Sequence, residues 1–501
     1  MNSTLSASDQ LSLSNLSAAA TRRLTLTSNQ ETDLILDQNH RFVIEHIQSG
    51  ENVYGINTGF GPLVDKHLAA DEAVELQENL LQQLNCHTGR YLSAEVSRAV
   101  ITLRARALAQ GVSGVRSDVL KALITWQQSE IQPALQSQGS VGASGDLVPL
   151  ARLARVLSGR DEIVDSSGTI RSNSTSVLAD YNLPHWSPAP KEALALVNGT
   201  SYSAALTSLS CVQLKDWLKH HILPQAATFM TVMKEPVQHL SPHIYRYKNH
   251  ASAVETANSL RNWLNLSNPE TEEGVHQPPY SSRSMVIWLG GINELIQQAE
   301  SLLETEINSV DDNPLILHEE ELFLHGANFQ GSYAAMAADH LSNALTRLVI
   351  IIERWVNRLL HPDHNGDLPA FLSGTPVGKK SGLQGYQLMV SSILADLRAR
   401  CAPHGVQSVP TNGDNQDIVS MSANAALNLA DMTEKAAPAI AVFPMILARA
   451  MQLEPVELSP ELKSWWKHQQ DLQDADYEAD HLNSLLQNHI EKIRLYRLFN
   501  A

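Results

Sequence analysis

The sequence predicts a mainly α-helical protein built around a bundle of long helices. Apolar residues recur at spacings of three and four between residues 292 and 307, which places them on one face of a core helix. Residues 334–360 form the most apolar long segment, and Pro362 ends it, so this helix is long enough to cross a whole domain. Strand-like sequence is sparse, and its best example is residues 162–170, where Ser167 and Gly168 favour a hairpin turn. Long helices with few strands are typical of a helix bundle.

In order along the chain, three parts are predicted. Residues 1–200 form a smaller N-terminal domain, residues 201–453 a central long-helix bundle, and residues 454–501 a C-terminal helical segment. Within the bundle, Pro438 and Pro444 interrupt an alanine-rich stretch, which predicts either kinks or two consecutive helices. Residues 361–382 are rich in His, Pro and Gly and have no helical period, so we expect a long surface loop there.

Composition excludes several classes of partner. The chain has 501 residues and a net charge of -17, so nucleic acid and anionic membrane surfaces are not expected to bind it. The apolar segment 334–360 contains charged residues that are too costly for a lipid-facing helix. Only three cysteines and no signal-peptide pattern predict a cytoplasmic protein. His239 and His243, like His361 and His364, lack a matching carboxylate motif, so we predict surface histidines and no metal site.

The most distinctive segment is a glycine-rich loop at residues 139–151. Its glycines at positions 139, 142 and 145 surround Ala143 and Ser144, a composition that permits close backbone approach and positive φ angles. Taken alone, the loop fits a turn before a helix capped by Asp146. A phosphate-binding loop is disfavoured, because the P-loop Lys-Ser/Thr pair and the spacing of a dinucleotide fingerprint are both missing.

At this loop the sequence resembles the histidine, phenylalanine and tyrosine ammonia-lyases, in which an Ala-Ser-Gly tripeptide cyclises into methylidene-imidazolone (MIO). The resemblance implies that Ala143, Ser144 and Gly145 form this prosthetic group, so that no external cofactor is needed. The Gly145 nitrogen must fold back onto the Ala143 carbonyl, and Ser144 must then lose water to leave an exposed methylidene. Such an electrophile answers a chemical need, because an α-ammonium is a poor leaving group and the β-hydrogens of an amino acid are barely acidic. The implied fold is the fumarase/aspartase-like long-helix bundle with a smaller, MIO-bearing N-terminal domain.

Two further motifs resemble the catalytic segments of the same family. Residues 54–61 match its glycine-rich loop, which implies that Tyr54 is the general base for the β-proton and that Gly61 contacts the substrate. Residues 191–200 match a segment in which Asn198 serves the substrate and the prosthetic group. Taken alone, Tyr54 would be a packing or turn residue, and Asn198 would simply end a helix.

The carboxylate side of the substrate is assigned to a third group of residues. Tyr280-Ser-Ser-Arg283 resembles the family's Tyr-Ser-Leu-Arg, which places Tyr280 among the catalytic residues and Arg283 on the substrate carboxylate. Gln277 also matches a substrate-site residue, although Pro278 and residues 285–288 depart from the family's pattern.

A fourth segment, Gly326-Ala-Asn-Phe-Gln-Gly331, matches the family as well. The resemblance implies that Phe329 and Gln330 lie close to the prosthetic group and the substrate. Phe329 on its own would be assigned to the core.

Residues at two positions bear on the choice of substrate. Gln416 matches a position at which the histidine enzymes resemble one another in carrying Glu. Because Gln416 has no charge to pair with an imidazole, it disfavours histidine as the substrate. Gln83 and Leu84 occupy the family's selectivity pair, and Leu84 fits both the phenylalanine and the tyrosine enzymes. Because Gln83 can bond a phenol hydroxyl and is costly to bury unpaired, it favours tyrosine over phenylalanine, unless its side chain faces solvent.

The resemblance therefore implies deamination of an aromatic L-amino acid to coumarate or cinnamate, by a homotetramer whose active sites are shared between subunits. Three alternatives stay open: a histidine ammonia-lyase that makes urocanate, an MIO-dependent 2,3-aminomutase that returns ammonia to the β-carbon, and a non-catalytic relative that only binds its ligand.

Overall fold

Helices make up most of the structure, a computed structural model that describes residues 3–69, 72–267, 277–374, 379–477, 481–495 and 498–499. Those of the N-terminal part are α1 (Leu13–Ala20), α2 (Gln30–Gln48), α3 (Ala73–Gln83), α4 (Ala94–Leu108), α5 (Ser117–Gln128), α6 (Val148–Leu157), α7 (Thr175–Asp180) and α8 (Glu192–Val197). Those that follow are α9 (Ser201–Asp216), α10 (Leu223–Val232), α11 (Pro242–Tyr245), α12 (Ala251–Trp263), α13 (Tyr280–Arg283), α14 (Met285–Glu306), α15 (Ser332–Leu360), α16 (Gln384–Arg400), α17 (Ser422–Leu453), α18 (Pro460–Lys467), α19 (Gln470–Gln473) and α20 (Leu482–Ile493). A π-helical segment, Trp217–Ile222, joins α9 to α10.

Short strands pair in small separate sheets. They are β1 (Ser3–Ser6), β2 (Leu24–Thr27), β3 (Thr88–Tyr91), β4 (Gln132–Pro133), β5 (Gln136–Gln138), β6 (Glu162–Val164), β7 (Ile170–Ser172), β8 (Leu315–Leu317) and β9 (Leu322–Leu324). The strands β1 and β2 run parallel, whereas β3 with β5, β8 with β9, and the three-stranded set β4, β6 and β7 are antiparallel. The sheet formed by β3 and β5 leads directly into the glycine-rich loop.

The core lies between the longest helices. The helix α15 packs against both α14 and α17, and α9 contacts all three. At the centre, the ring of Trp355 stacks between Phe229 and Phe443, with ring centroids 5.6 and 5.5 Å away. One apolar cluster includes buried residues of all three predicted parts, such as Leu153, Trp355 and Trp466. The proposed boundaries coincide with the start of α9 and the end of α17, and the division into three domains stays a prediction.

Most of the predicted elements are confirmed. Residues 292–306 belong to α14, whose buried face includes Ile292, Ile296 and Leu303, and Ile307 is its C-cap. The helix α15 ends at Leu360, just before Pro362. The hairpin at residues 162–170 is formed by β6 and β7. The two-helix alternative for the alanine-rich stretch is wrong, because Pro438 and Pro444 both lie inside the single helix α17.

Two helices, α15 and α17, are long and apolar enough to cross a membrane. Their most apolar windows are 67% and 78% buried inside the protein, which is the environment expected of core helices.

Candidate active site

The glycine-rich loop forms a compact turn pressed against the start of α9. Gly142 and Gly145 both adopt left-handed backbone conformations, with φ of 70° and 71°. A Cβ atom on Gly145 would lie 2.4 Å from the backbone nitrogen and oxygen of Gly199, so only glycine fits at this position. The backbone N–H of Asp146 donates to the Gly199 carbonyl over 2.7 Å, which fixes this contact.

Asp146 does not cap the helix that follows it, contrary to the sequence-based interpretation. The helix α6 begins after Leu147, which provides no side-chain cap. Instead, the carboxylate of Asp146 accepts the backbone N–H groups of Tyr202 and Ser203, at 2.8 and 2.9 Å, and so caps α9. Complete burial raises the pKa of this carboxyl to about 7, although the hydrogen bonds from Ser203 and Tyr202 oppose the rise. The backbone N–H and the side-chain carboxylate of Asp146 therefore both join the loop to the start of α9.

Ala143 and Ser144 line a cleft of about 980 Å³. Two carboxamides reach Ser144: Nδ2 of Asn198 donates to its carbonyl over 3.0 Å, and Nε2 of Gln416 donates to its hydroxyl over 2.6 Å. The other end of the Gln416 amide accepts the Thr411 hydroxyl at 2.7 Å, which fixes the amide with its NH₂ group toward Ser144. Asn198 follows the last residue of α8, so both earlier interpretations of this residue are compatible.

Tyr54 lines the same cleft from the loop after α2. Its hydroxyl accepts the backbone N–H of Gly61 at 3.1 Å, which links the two ends of the glycine-rich motif. The ring lies edge-on to His325, with centroids 6.0 Å apart. Gly61 has a φ of 54°, and its backbone faces the Asn412 amide, which also lines the cleft.

Gln77 supports this loop and was missed by the sequence analysis. Its fully buried side chain donates to the carbonyl of Gly55 at 3.2 Å and accepts the N–H of Leu194 at 3.0 Å. It therefore connects the loop of Tyr54 to α8, which carries Asn198 at its end. One sequence feature could have revealed it: Gln77 is a polar residue on the apolar face of α3, one turn before Leu80.

One face of α3 forms the side wall of the cleft. Leu80, Gln83 and Leu84 line it, as the sequence predicts for the selectivity pair, and Ile418 faces them from the loop that carries Gln416. The side chain of Gln83 is accessible within this wall, so it is available to a ligand.

Phe329 and Gln330 also line the cleft. Phe329 is only partly buried, so its assignment to the core is wrong. The side-chain oxygen of Gln330 accepts the hydroxyl and the backbone N–H of Ser332, at 2.6 and 3.1 Å. Gln330 thereby binds both the hydroxyl and the N–H of the first residue of α15.

Tyr280, Arg283 and Gln277 do not line this cleft. Tyr280 is 71% exposed, and the Arg283 guanidinium lies 4.9 Å from the centre of its ring. Gln277 is exposed as well. The short helix α13 is held on the bundle by Trp355, which donates to the Ser281 carbonyl at 2.9 Å, and by Arg358.

Arg358 is the firmer of these two supports. It donates to the Ser282 hydroxyl at 2.5 Å and forms an ion pair of 2.6 Å with Glu235, whose side chain is 3% exposed. Among the described residues that line the cleft there is no lysine or arginine, so none of these residues offers a cation to a substrate carboxylate.

The long-helix bundle with this cleft matches a class of solved enzymes that act on amino acids. Tyrosine aminomutase from Streptomyces globisporus superimposes with a TM-score of 0.90 at 27% identity, over 98% of this chain and 96% of that chain. Tyrosine ammonia-lyase from Cupriavidus metallidurans is 35% identical over 401 residues, 75% of this chain and 74% of the relative. Histidine ammonia-lyase from Shouchella clausii is 33% identical over 434 residues, 86% of each chain.

Residues 11–470 match the family model described as aromatic amino acid lyase. The chain therefore belongs to the aromatic amino acid lyase family, and it is a carbon–nitrogen lyase.

Proposed function

We propose that the enzyme removes ammonia non-oxidatively from an aromatic L-amino acid, with tyrosine favoured over phenylalanine, and releases the trans-2-enoic acid. The observation that carries this proposal is the Ala143-Ser144-Gly145 turn at the wall of a cleft lined by Tyr54 and Asn198. An electrophile and a proton acceptor are the two groups that the reaction requires.

The turn fits the MIO group that this family implies. Gly145 lies in a left-handed conformation with no room for a Cβ atom, which suits a backbone that folds back onto Ala143. The Asn198 amide bonds the Ser144 carbonyl, and its buried Oδ1 atom has no partner in the described chain, so this side chain has a free acceptor beside the tripeptide. When formed, the group supplies an electrophilic methylidene that makes the amino group a better leaving group.

Residues of this chain then have separate roles. In its deprotonated form Tyr54 accepts the β-proton at its phenolic oxygen, and the Gly61 N–H, at 3.1 Å, stabilises the negative charge on that atom. Asn198 and Gln416 orient the reacting end of the substrate against the tripeptide.

The substrate ring is placed along α3. Leu80 and Leu84 supply apolar contact, and Gln83 supplies a hydrogen bond to a phenol hydroxyl. Gln416 is neutral and its amide is held by Thr411, which leaves no carboxylate at the position where an imidazolium would need one.

The absence of a cation from the described cleft residues supports an oligomer with shared sites. We assign the carboxylate contact to Arg283 of another subunit, because Arg283 is partly exposed and lies outside this chain's own cleft. Exposed apolar side chains on α15 and α16, such as Tyr333 (59%) and Leu388 (67%), support the burial of these faces in a homotetramer. Tyr280 lies on the same helix as Arg283 and would reach the same neighbouring site.

The primary experiment is a product assay on the purified enzyme with L-tyrosine, L-phenylalanine and L-histidine, using mass spectrometry to identify products. Coumarate formed with the highest kcat/KM is the expected result. Urocanate as the main product would overturn the role given to Gln416, and cinnamate alone would overturn that of Gln83. A 2,3-aminomutase is a second candidate, because tyrosine aminomutases are among the relatives, and a β-amino acid product would identify it.

A mixing experiment tests the shared site. Tyr54→Phe and Arg283→Met should each be inactive, and subunits mixed by refolding should regain about a quarter of the wild-type activity if each site takes one residue from each of two chains. Arg347→Met is the matched control, because Arg347 is an exposed arginine that also lies over an aromatic ring, that of Trp288. This control should stay active by itself, and a mixture of the two inactive variants that gains nothing would refute the shared site.

A further inference from the structure

Two layers lie behind the tripeptide, one of backbone and one of side chains. Gly145 rests on Gly199, as described above, and Gly199 in turn rests on a buried ion pair. A Cβ atom on Gly199 would lie 2.0 Å from Nη1 of Arg104 and 2.6 Å from Oδ2 of Asp311. Gly145 therefore packs on Gly199, and Gly199 packs on Arg104 and Asp311. We call these four residues the stack.

The ion pair holds the backbone on both sides of Gly199. Arg104 is fully buried on α4, and its guanidinium donates to the Asn198 carbonyl at 3.2 Å and to Asp311 at 2.5 Å. The other oxygen of Asp311 accepts the backbone N–H of Thr200 at 2.7 Å. The carbonyl before Gly199 and the amide after it are thus both fixed, so the Gly199 carbonyl is aimed at the N–H of Asp146.

We propose that Arg104 and Asp311 are positioning residues for the formation of the prosthetic group from Ala143, Ser144 and Gly145. They act through Gly199 and Asn198 and touch neither the tripeptide nor the substrate. The inference rests on the proposed function, because it presumes that the tripeptide cyclises.

The chemistry explains why a rigid support matters. A bond forms between the Gly145 nitrogen and the carbonyl carbon of Ala143, and the carbonyl oxygen leaves as water with one proton from the nitrogen of Gly145 and one from that of Ser144. The Ser144 hydroxyl leaves as a second water with the proton on its Cα atom. No oxidant is required. The attack needs the two backbone atoms held closer than an unconstrained turn would keep them, and the stack restricts how far Gly145 can move away.

A matched control is available on the same helix. Arg98 is also buried on α4, and it donates to the backbone carbonyls of Ala20, Gln127 and Ser129, none of which belongs to the tripeptide or to residues 198–200. Its replacement removes a buried guanidinium of the same kind without touching the stack. Removal of either buried guanidinium leaves hydrogen-bond acceptors unpaired and destabilises the fold, so the modification state is what separates the two arginines.

The test measures the intact mass of freshly purified chains together with their thermal denaturation midpoint. The wild type and Arg98→Met should have lost the mass of two water molecules, whereas most chains of Arg104→Met and Asp311→Asn should keep the full mass. Asp311→Asn is nearly isosteric and keeps the inference testable if Arg104→Met does not fold, and Arg104→Lys should restore the modification in part.

Each other result has a distinct meaning. Complete loss of two waters in folded Arg104→Met and Asp311→Asn would overturn the inference while leaving the proposed function intact. Failure of Arg98→Met as well would show a general effect of stability and would also overturn it. A wild-type chain at full mass would overturn the proposed prosthetic group itself.

Discussion

Replacing Glu306 by glutamine should flatten the pH dependence of stability between about pH 5 and pH 8. The reason lies in the Thr200 hydroxyl, which contacts Glu306 at 2.7 Å and Asp311 at 3.2 Å but has only one proton to donate. The two carboxyl groups therefore compete for one hydroxyl proton, and Asp311 also accepts a hydrogen bond from Arg104. Of these two carboxyl groups, Glu306 is the one whose pKa is raised, so the folded protein holds a proton on it near neutral pH.

The size of this pH-dependent stabilisation follows from the pKa shift of Glu306. Burial above all, with the nearby charge of Asp311, raises the pKa of Glu306 from 4.5 to about 7, while a hydrogen bond from Thr200 to the ionised form opposes the rise. A raised carboxyl pKa means that the folded state binds more protons than the unfolded state between these two values. The stabilisation is complete below about pH 4.5 and is lost as the pH rises through about 7, for a total on the order of 3 kcal/mol.

Urea denaturation gives the free energy of unfolding of the wild type and of Glu306→Gln at about pH 5 and pH 8, at one fixed protein concentration. The quantity compared is the change in this free energy between the two pH values, in each protein. The change in free energy of unfolding between the two pH values should be smaller in the variant by on the order of 3 kcal/mol. The raised pKa of Asp146 remains in both proteins and cancels. Equal losses of stability in the two proteins would refute the assignment of the proton to Glu306.

Three further substitutions test other parts of the structure. Gly145→Ala places a Cβ atom 2.4 Å from the Gly199 backbone, so the chain should keep its unmodified mass in mass spectrometry; loss of two waters would contradict the proposed fit. Gln83→Leu should lower kcat/KM for tyrosine by about tenfold or more and raise it for phenylalanine, whereas an unchanged ratio would mean that Gln83 faces solvent. Arg358→Met leaves the buried Glu235 unpaired and should cost about 3–5 kcal/mol in denaturation experiments, with a rise in KM through a displaced Arg283; an unchanged KM would argue against this support.

The sequence predicts the helical architecture well because the pattern of apolar residues acts locally. The helices α14 and α15 follow directly from periodicity and from Pro362. The continuity of α17 could not be predicted, because Pro438 and Pro444 are tolerated only where surrounding helices bury the segment, and that packing is not a local property.

The site was predicted in part: local motifs were informative, and contacts between distant segments were not. Short motifs identify the tripeptide and Tyr54, and these residues do meet in one cleft. The role of Asp146 could not be predicted from the helix that follows it, because its partner is α9, more than fifty residues later. Gln77 and Arg104 escaped notice for the same reason: each acts on backbone groups that only the folded chain brings near.

Two buried ion pairs lie at the two ends of α8, the helix that is followed by Asn198. Asp311 and its neighbour Asp312 pair with cations from two different segments. Arg104 of α4 contacts the Asn198 carbonyl at the end of α8, and Lys191 at the start of α8 pairs with Asp312 over 2.6 Å. The helix α8 is thus held at both ends, and every one of its residues is buried. Well-packed apolar residues could give comparable stability, but they could not fix the direction of a carbonyl and an N–H on either side of Gly199. Since Asn198 stands at the end of this helix, we attribute the buried ion pairs to the placement of its amide against Ser144.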